Sequence, residues 1–201
     1  MNARVTATTK PTAVALLSRR LRAGGVYRRE DLAVASNAVD RHLKQLLESG
    51  RLMKLAQGLY YVPLRSAFGP VPPEDRELVA AFLRDDDFLL LSPASYNTLG
   101  LGGTQLYNRT VVYNHKRHGR LTFGNRTFDF RMKPRFPNKL FSEFLFVDLL
   151  NNLNEFAEER DELVHNAQLK SHQFDRHKLL RSASKFGTIA TKKLIKEWLD
   201  A

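Results

Sequence analysis

From Thr12 onward, apolar residues recur at helical spacing. Val14, Leu17 and Leu21 stand at i, i+3 and i+7, which predicts a first helix opened by Pro11-Thr12 and stopped by Gly24-Gly25. Val26-Tyr27 is too short for more than one bridge of strand. A short second helix over 30–35 has Leu32 as its apolar anchor. Ser36 suits the N-cap of a third helix, where its hydroxyl accepts a bond from an orphan backbone N–H. In that helix Val39, Leu43, Leu46 and Leu47 form one stripe, and Ser49-Gly50 ends it. His42, flanked by the stripe, reads as a partly buried packing residue. Segments 51–55 and 59–62 are β-compatible, and Ala56-Gln57-Gly58 between them supplies a turn whose Gly takes positive φ.

Segment 63–73, with Pro63, Pro70, Pro72 and Pro73, reads as a linker or extended crossover. After it, Glu74-Asp75 opens a helix with acids at its positive end, and Leu78, Val79, Phe82 and Leu83 give that helix an apolar face. A buried strand is expected over 88–91, then a helix capped by Ser92-Pro93 and closed by Gly100. Three strands follow over 110–113, 120–123 and 127–131, the last two joined by the turn Gly124-Asn125. Phe128 and Phe130 share one face of the last strand and Asp129 and Arg131 the other, which predicts one buried face and one wet, basic face. From Phe141 the period is helical, through Phe144, Val147 or Asp148, and Leu150 or Leu153, and three more helices end at Trp198-Leu199. The expected fold class is α+β. A winged helix-turn-helix over 11–64, built from three helices and a hairpin, follows a disordered start over 1–10. The remainder, 65–201, is a mixed α/β domain with an antiparallel basic sheet and C-terminal helices.

Charge sharpens this picture. The 201 residues carry 32 Lys/Arg against 21 Asp/Glu, a net +11. Residues 1–65 hold 12 basic and 4 acidic residues, and 109–140 hold 9 basic residues and only Asp129, so each block nets +8 while the rest is net negative. Two basic blocks on a more acidic scaffold suit a nucleic-acid binder. With 0 Cys, disulfide scaffolds, thiolate metal sites and a cysteine nucleophile are excluded. No run approaches the roughly 18 apolar residues of a membrane span, and the first ten residues lack a signal-peptide core, so a cytoplasmic protein with no membrane partner is expected.

Packing the leucine stripe inward leaves Asn37, Arg41, Lys44, Gln45 and Glu48 outward on the third helix, and Arg, Lys, Asn and Gln are the side chains that read base edges in a major groove. Ser36 stands with them at the helix start. Lys54 and Gln57 fall at the hairpin tip, within reach of phosphate or a minor groove, and Arg28 and Arg29 are placed to clamp backbone at the entry to the second helix. Asp40 and Glu48 count against phosphate contact. Lys116, Arg117, Arg120, Arg126, Arg131, Lys133 and Arg135 form a second candidate basic surface.

Three stretches carry a resemblance: "LLESGRLMKLAQGLYYV", "LLLSPASYNTLGLGGTQ", and the basic strands from Thr110 to Phe136. Together they resemble the AbiEi-type antitoxins, the repressing partners in two-gene abortive-infection toxin–antitoxin systems, over about 14–150 of this chain. The resemblance implies a repressor that autoregulates its own operon and neutralises a nucleotidyltransferase-like toxin; inverted repeats in double-stranded operator DNA are its expected site. It implies base contacts for Asn37, Arg41, Lys44 and Gln45, and backbone contacts for Arg51, Lys54 and Gln57. The second basic block then either extends the DNA footprint or meets the toxin. The competing reading is a general winged-helix regulator whose second domain binds a ligand or another protein.

Enzymatic readings are weaker. Asp85-Asp86-Asp87 reads as a solvated helix end, and His172, Asp175 and His177 lack a further anchoring ligand. The run from Asp129 to Lys133 approaches the carboxylate-x-Lys pattern of metal-dependent nucleases, but Arg131 stands where the Lys is needed. Gly100-Leu101-Gly102-Gly103 lacks the dinucleotide-binding spacing and reads as a turn. No catalysis, cofactor or metal is expected.

Overall fold

The computed structural model of the protein describes residues 12–101, 110–155 and 160–200. The start over 1–10, expected to be disordered, and the Gly102-Gly103 half of the expected turn lie outside the described residues. The chain divides into two compact units at Asp86/Asp87, and helices and antiparallel strand pairs occur in both, an α+β architecture. Among the described residues no helix is long and apolar enough to cross a membrane.

The first unit opens with α1 (Ala13–Arg20), whose N-cap Thr12 accepts the Ala15 N–H at 3.3 Å. Then come β1 (Val26–Arg28), α2 (Arg29–Ala33), α3 (Val39–Glu48), β2 (Met53–Ala56) and β3 (Leu59–Tyr61). Leu17, Leu32, Val39, Leu43, Leu46, Leu52 and Tyr60 form one core beneath the helices. The stripe on α3 is therefore buried as its spacing predicts, with Leu47 at its partly buried margin.

Val26-Tyr27 is more than a bridge. β1 pairs antiparallel with β3 from Val26↔Tyr61 to Arg28↔Leu59, making a sheet of order β1-β3-β2. A partner so distant in sequence supplies the hydrogen bonds that local propensity cannot. The β2–β3 turn is two residues, Gln57-Gly58, because Ala56 already pairs with Leu59, and Gly58 sits at φ +71°. Ser36 is not the N-cap of α3; Ala38 holds that position and makes no side-chain cap. The Ser36 hydroxyl instead accepts the Ala38 N–H at 3.2 Å and lies 2.6 Å from Nδ1 of His42, itself only 5% exposed.

The proline-rich segment is a hairpin, not a linker. β4 (Leu64–Ser66) pairs with β5 (Gly69–Val71), and the Tyr61 hydroxyl donates to the Val71 carbonyl at 2.6 Å. Pro70 is tolerated because a two-stranded ribbon leaves one backbone edge unpaired. α4 (Asp75–Leu83) also belongs to this unit: Arg28 Nη1 donates to the Phe82 carbonyl at 3.0 Å, and Arg84 donates to Glu30 at 3.0 Å and Asp31 at 3.4 Å. These ties move the boundary from the expected 64/65 to Asp86/Asp87.

The second unit contains β6 (Phe88–Leu91), a 3₁₀ segment (Pro93–Leu99), β7 (Thr110–Asn114), β8 (Gly119–Phe123) and β9 (Arg126–Met132). Then follow α5 (Ser142–Asn151), a 3₁₀ turn (Leu153–Glu155), α6 (Arg160–Ser171), α7 (Arg176–Phe186) and α8 (Ile189–Asp200). Ser92 and Ser95 close a capping box on the first 3₁₀ segment and Gly100 ends it at φ +65°.

The sheet is mixed rather than antiparallel throughout. Its order is β6-β7-β9-β8, and β9 runs parallel to β7 while β8 lies at the edge. The buried Asn114 side chain holds the crossing: its Oδ1 accepts the N–H groups of Lys116 at 2.8 Å and Arg117 at 2.6 Å, and its Nδ2 donates to the Arg117 carbonyl at 3.0 Å. The link thus passes over one strand's width, and the aromatic β9 takes the inner place. Val112, Phe123, Phe128 and Phe130 lie buried on one face, as the alternation predicts for the two Phe of β9. The other face carries Leu89, Leu91, Val111 and Tyr113, which join a core with the four helices. α5 is buried all round over 144–150. Such a helix is the centre of a core, not the edge of one.

Candidate nucleic-acid interface

On α3 the side chains of Arg41, Lys44, Gln45 and Glu48 are exposed opposite the buried stripe, and Asn37 is exposed just before it. Lys44 and Glu48 form an i,i+4 pair at 3.9 Å, open to water and so weak. Arg29 Nε and Nη2 donate to the two carboxylate oxygens of Asp40 at 2.7 and 2.5 Å. That hydrogen bond holds the Asp40 carboxyl below the usual range and Arg29 above its own. Asp40, counted above as an obstacle to phosphate, thus already has its cation, and Arg29 is correspondingly not a free clamp.

Two other expected contacts are engaged inside the unit. Arg28 is spent on the Phe82 carbonyl and on Glu30 at 3.3 Å, so it joins β1 to α4. Ser36 is taken up by His42 and the Ala38 N–H. The remaining expected residues are exposed: Arg51 ahead of β2, and Lys54 and Gln57 at the hairpin, where Lys54 Nζ donates to Gln57 Oε1 at 3.0 Å. Arg65 was missed because it lay in the presumed linker. Its Nη2 stands 3.9 Å from where a Cβ on Gly50 would be, beside the end of α3.

The second basic surface does not form as one face. Arg120 stands opposite Asp129, whereas Arg126 stands opposite Phe123 and so shares the aromatic face. Side chains of a strand alternate, so an odd separation across the pairing divides them. Lys116, Arg117, Arg120 and Arg135 are exposed. Lys133 lies over the Tyr113 ring, 5.1 Å from its centroid. Arg131 is covered: it donates to Asp129 at 3.0 and 2.8 Å and to Glu155 at 2.6 and 2.9 Å, and its side chain is 14% exposed. Burial pulls against its charge, but the hydrogen bonds to Glu155 and Asp129 outweigh that and hold it charged above its ordinary range. The wet, basic face expected of Asp129 and Arg131 is thus an ion-paired, mostly covered one.

Near it lies a polar cluster that pattern-reading passed over. Asp148 of α5 is 3% exposed, and it accepts from the Tyr96 hydroxyl at 2.5 Å and from the Tyr113 hydroxyl at 2.9 Å to each oxygen. Asn152 donates to the Asp148 carbonyl at 2.7 Å and to the Tyr113 hydroxyl at 3.4 Å. Burial pushes the Asp148 carboxyl up; the two tyrosines, then the charges of Lys133 and Arg131, oppose it. The cluster ties the 3₁₀ segment, β7 and α5 together around one carboxyl. A signal was present: an Asp within an otherwise apolar run of the central helix. Among the described residues no group of three or more His, Asp or Glu side chains is arranged to hold a metal ion.

No family model matches the chain, and no curated protein matches it. Among solved structures it is similar to the Rv2827c protein of Mycobacterium tuberculosis, with a TM-score of 0.55 at 16% identity over 93% of this chain and 74% of that one. At that identity the likeness is one of fold.

Proposed function

We propose that the protein is a DNA-binding transcriptional repressor of the AbiEi antitoxin type. The first unit acts as a winged helix-turn-helix whose α3 enters the major groove, and the second unit meets a nucleotidyltransferase-like toxin. The observation that carries the reading is the outward face of α3: Arg41, Lys44 and Gln45 stand exposed opposite the packed stripe of Val39, Leu43 and Leu46. The neighbouring Asp40 is already neutralised by Arg29. Asn37, Arg41, Lys44 and Gln45 are the base readers, and Arg51, Lys54 and Gln57 hold phosphate. The β1-β3-β2 sheet that ends in the Gln57-Gly58 turn supplies the wing.

The test is fluorescence anisotropy with duplexes that carry the inverted repeats upstream of the gene. Binding to the repeats is expected to weaken steeply with salt, as counterions are released. Arg41→Ala costs about 1–3 kcal/mol on the repeats and much less on random DNA. An equal loss on both duplexes reduces Arg41 to a phosphate contact, and no binding to either overturns the reading. Co-expression with a nucleotidyltransferase-like protein encoded next door should abolish that protein's toxicity. An unrelated neighbour leaves a general winged-helix regulator instead.

A further inference from the structure

The second unit holds a half-open pocket of about 290 Å³ between the start of α5 and one face of α7. Its walls differ in character. Pro137, Phe141 and Phe186 make an apolar side, and the Phe141 and Phe186 rings, 6.3 Å apart, both rest on Phe144. Phe141 is 40% exposed, an aromatic ring left partly in water. Lys178, Arg181 and Lys185, at i, i+3 and i+7 on α7, make the other side, against one lining carboxylate, Glu143. Among the described residues no hydrogen bond or ion pair engages the Arg181 side chain. Ser182, at the same helical face, is 4% exposed, and its hydroxyl has no hydrogen-bond partner among the described residues. An unsatisfied buried hydroxyl is costly and calls for a partner. The surrounding stretch 176–196 carries seven Lys/Arg and no Asp/Glu.

We propose that this pocket binds a small aromatic anion, a flat ring bearing a carboxylate or phosphate. The ring lies against Phe141 and Phe186, the anionic group is held by Arg181 with Lys178 and Lys185, and the Ser182 hydroxyl donates to the ligand. The volume is at the lower end for small-molecule sites, which suits a benzoate-sized acid or a mononucleotide rather than a larger cofactor. Three cations to one carboxylate select for negative charge, and the aromatic wall selects against bare inorganic anions. The site stands apart from the DNA-binding reading of α3 and does not depend on it.

The experiment is isothermal titration of the full chain with salicylate and with adenosine 5′-monophosphate, each beside its neutral counterpart, salicyl alcohol or adenosine, and beside inorganic phosphate. Saturable millimolar or tighter binding is expected for at least one aromatic anion, with its neutral counterpart and phosphate each weaker by about tenfold or more. The better of the two anions tells an organic acid from a nucleotide. Arg181→Ala is expected to weaken that binding by about tenfold, while Arg120→Ala, remote in the sheet, leaves it unchanged. Ser182→Ala weakens binding without lowering the melting temperature of the unliganded protein, since the lost hydroxyl had no partner. No saturable binding of either anion, equal binding of phosphate, or full affinity in Arg181→Ala overturns the proposal.

Discussion

Replacing Arg131 by Met removes a charge that the strand pattern assigned to a wet surface and the fold has covered. The guanidinium makes two hydrogen bonds to Asp129 and two to Glu155, and the Asp129 side chain is 13% exposed against 35% for Glu155. Removing one partner from a buried ion pair costs about 3–5 kcal/mol, because the other charge stays desolvated with less to offset it. Glu155 can turn toward water and bears little of that cost, whereas Asp129 cannot, so about 2–4 kcal/mol is expected. Arg120→Met, on the exposed side chain opposite Asp129 in the ladder, should stay within about 0.5 kcal/mol of the parent. Urea unfolding followed by the fluorescence of the single Trp198, buried in α8, reports on this unit. With a slope of about 2 kcal/mol per molar urea, the midpoint of Arg131→Met should fall by roughly 1–2 M. A loss no larger than that of Arg120→Met refutes the reasoning and returns Arg131 to the solvent-facing surface.

Further outcomes follow from single residues. Burial raises the Asp148 carboxyl above its ordinary 3.8, so the fold keeps its proton where the unfolded chain has lost it; this stabilising contribution is full below 3.8 and fades as pH rises through the raised value. Asp148→Asn, with no proton to lose, should therefore gain stability relative to the parent as pH rises over that window, and urea midpoints with a pH-independent gap contradict this. Leu43→Ala, at a side chain 2% exposed in the α3 stripe, should cost about 2–5 kcal/mol in chemical denaturation, and an unchanged midpoint would show that α3 is not packed through that stripe. Gly58→Ala forces φ +71° on a residue with a Cβ and should cost about 1–2 kcal/mol, measured by thermal melting, with no steric clash to add, since nothing among the described residues lies within 4 Å of the new Cβ.

Local chemistry explains what was legible along the chain. The α3 stripe, the Thr12 start of α1, the Ser92 cap, the Gly124-Asn125 turn and the buried Phe128 and Phe130 depend on residues a few positions apart, and all are found. The exposed polar side of α3 follows from its buried side for the same reason. Charge summed over long blocks was a poorer guide: it set 176–196 within a net-negative remainder and so concealed the cations of the α7 pocket.

The sequence by itself determined the helices, the strands of the basic meander, the buried stripe of α3 and its outward row of Asn37, Arg41, Lys44 and Gln45, because periodicity and turn chemistry act within one or two turns of chain. Only the tertiary structure decided which charges stay free. Arg28 reaches the Phe82 carbonyl, Arg29 takes Asp40, and Arg131 bridges Asp129 and Glu155, each partner being set by packing. The same holds for the parallel pairing of β9 with β7 and for the carboxyl that Tyr96 and Tyr113 surround. A hydrogen bond or ion pair between distant residues leaves no period in the sequence, so its existence rests on where the core brings the chain together.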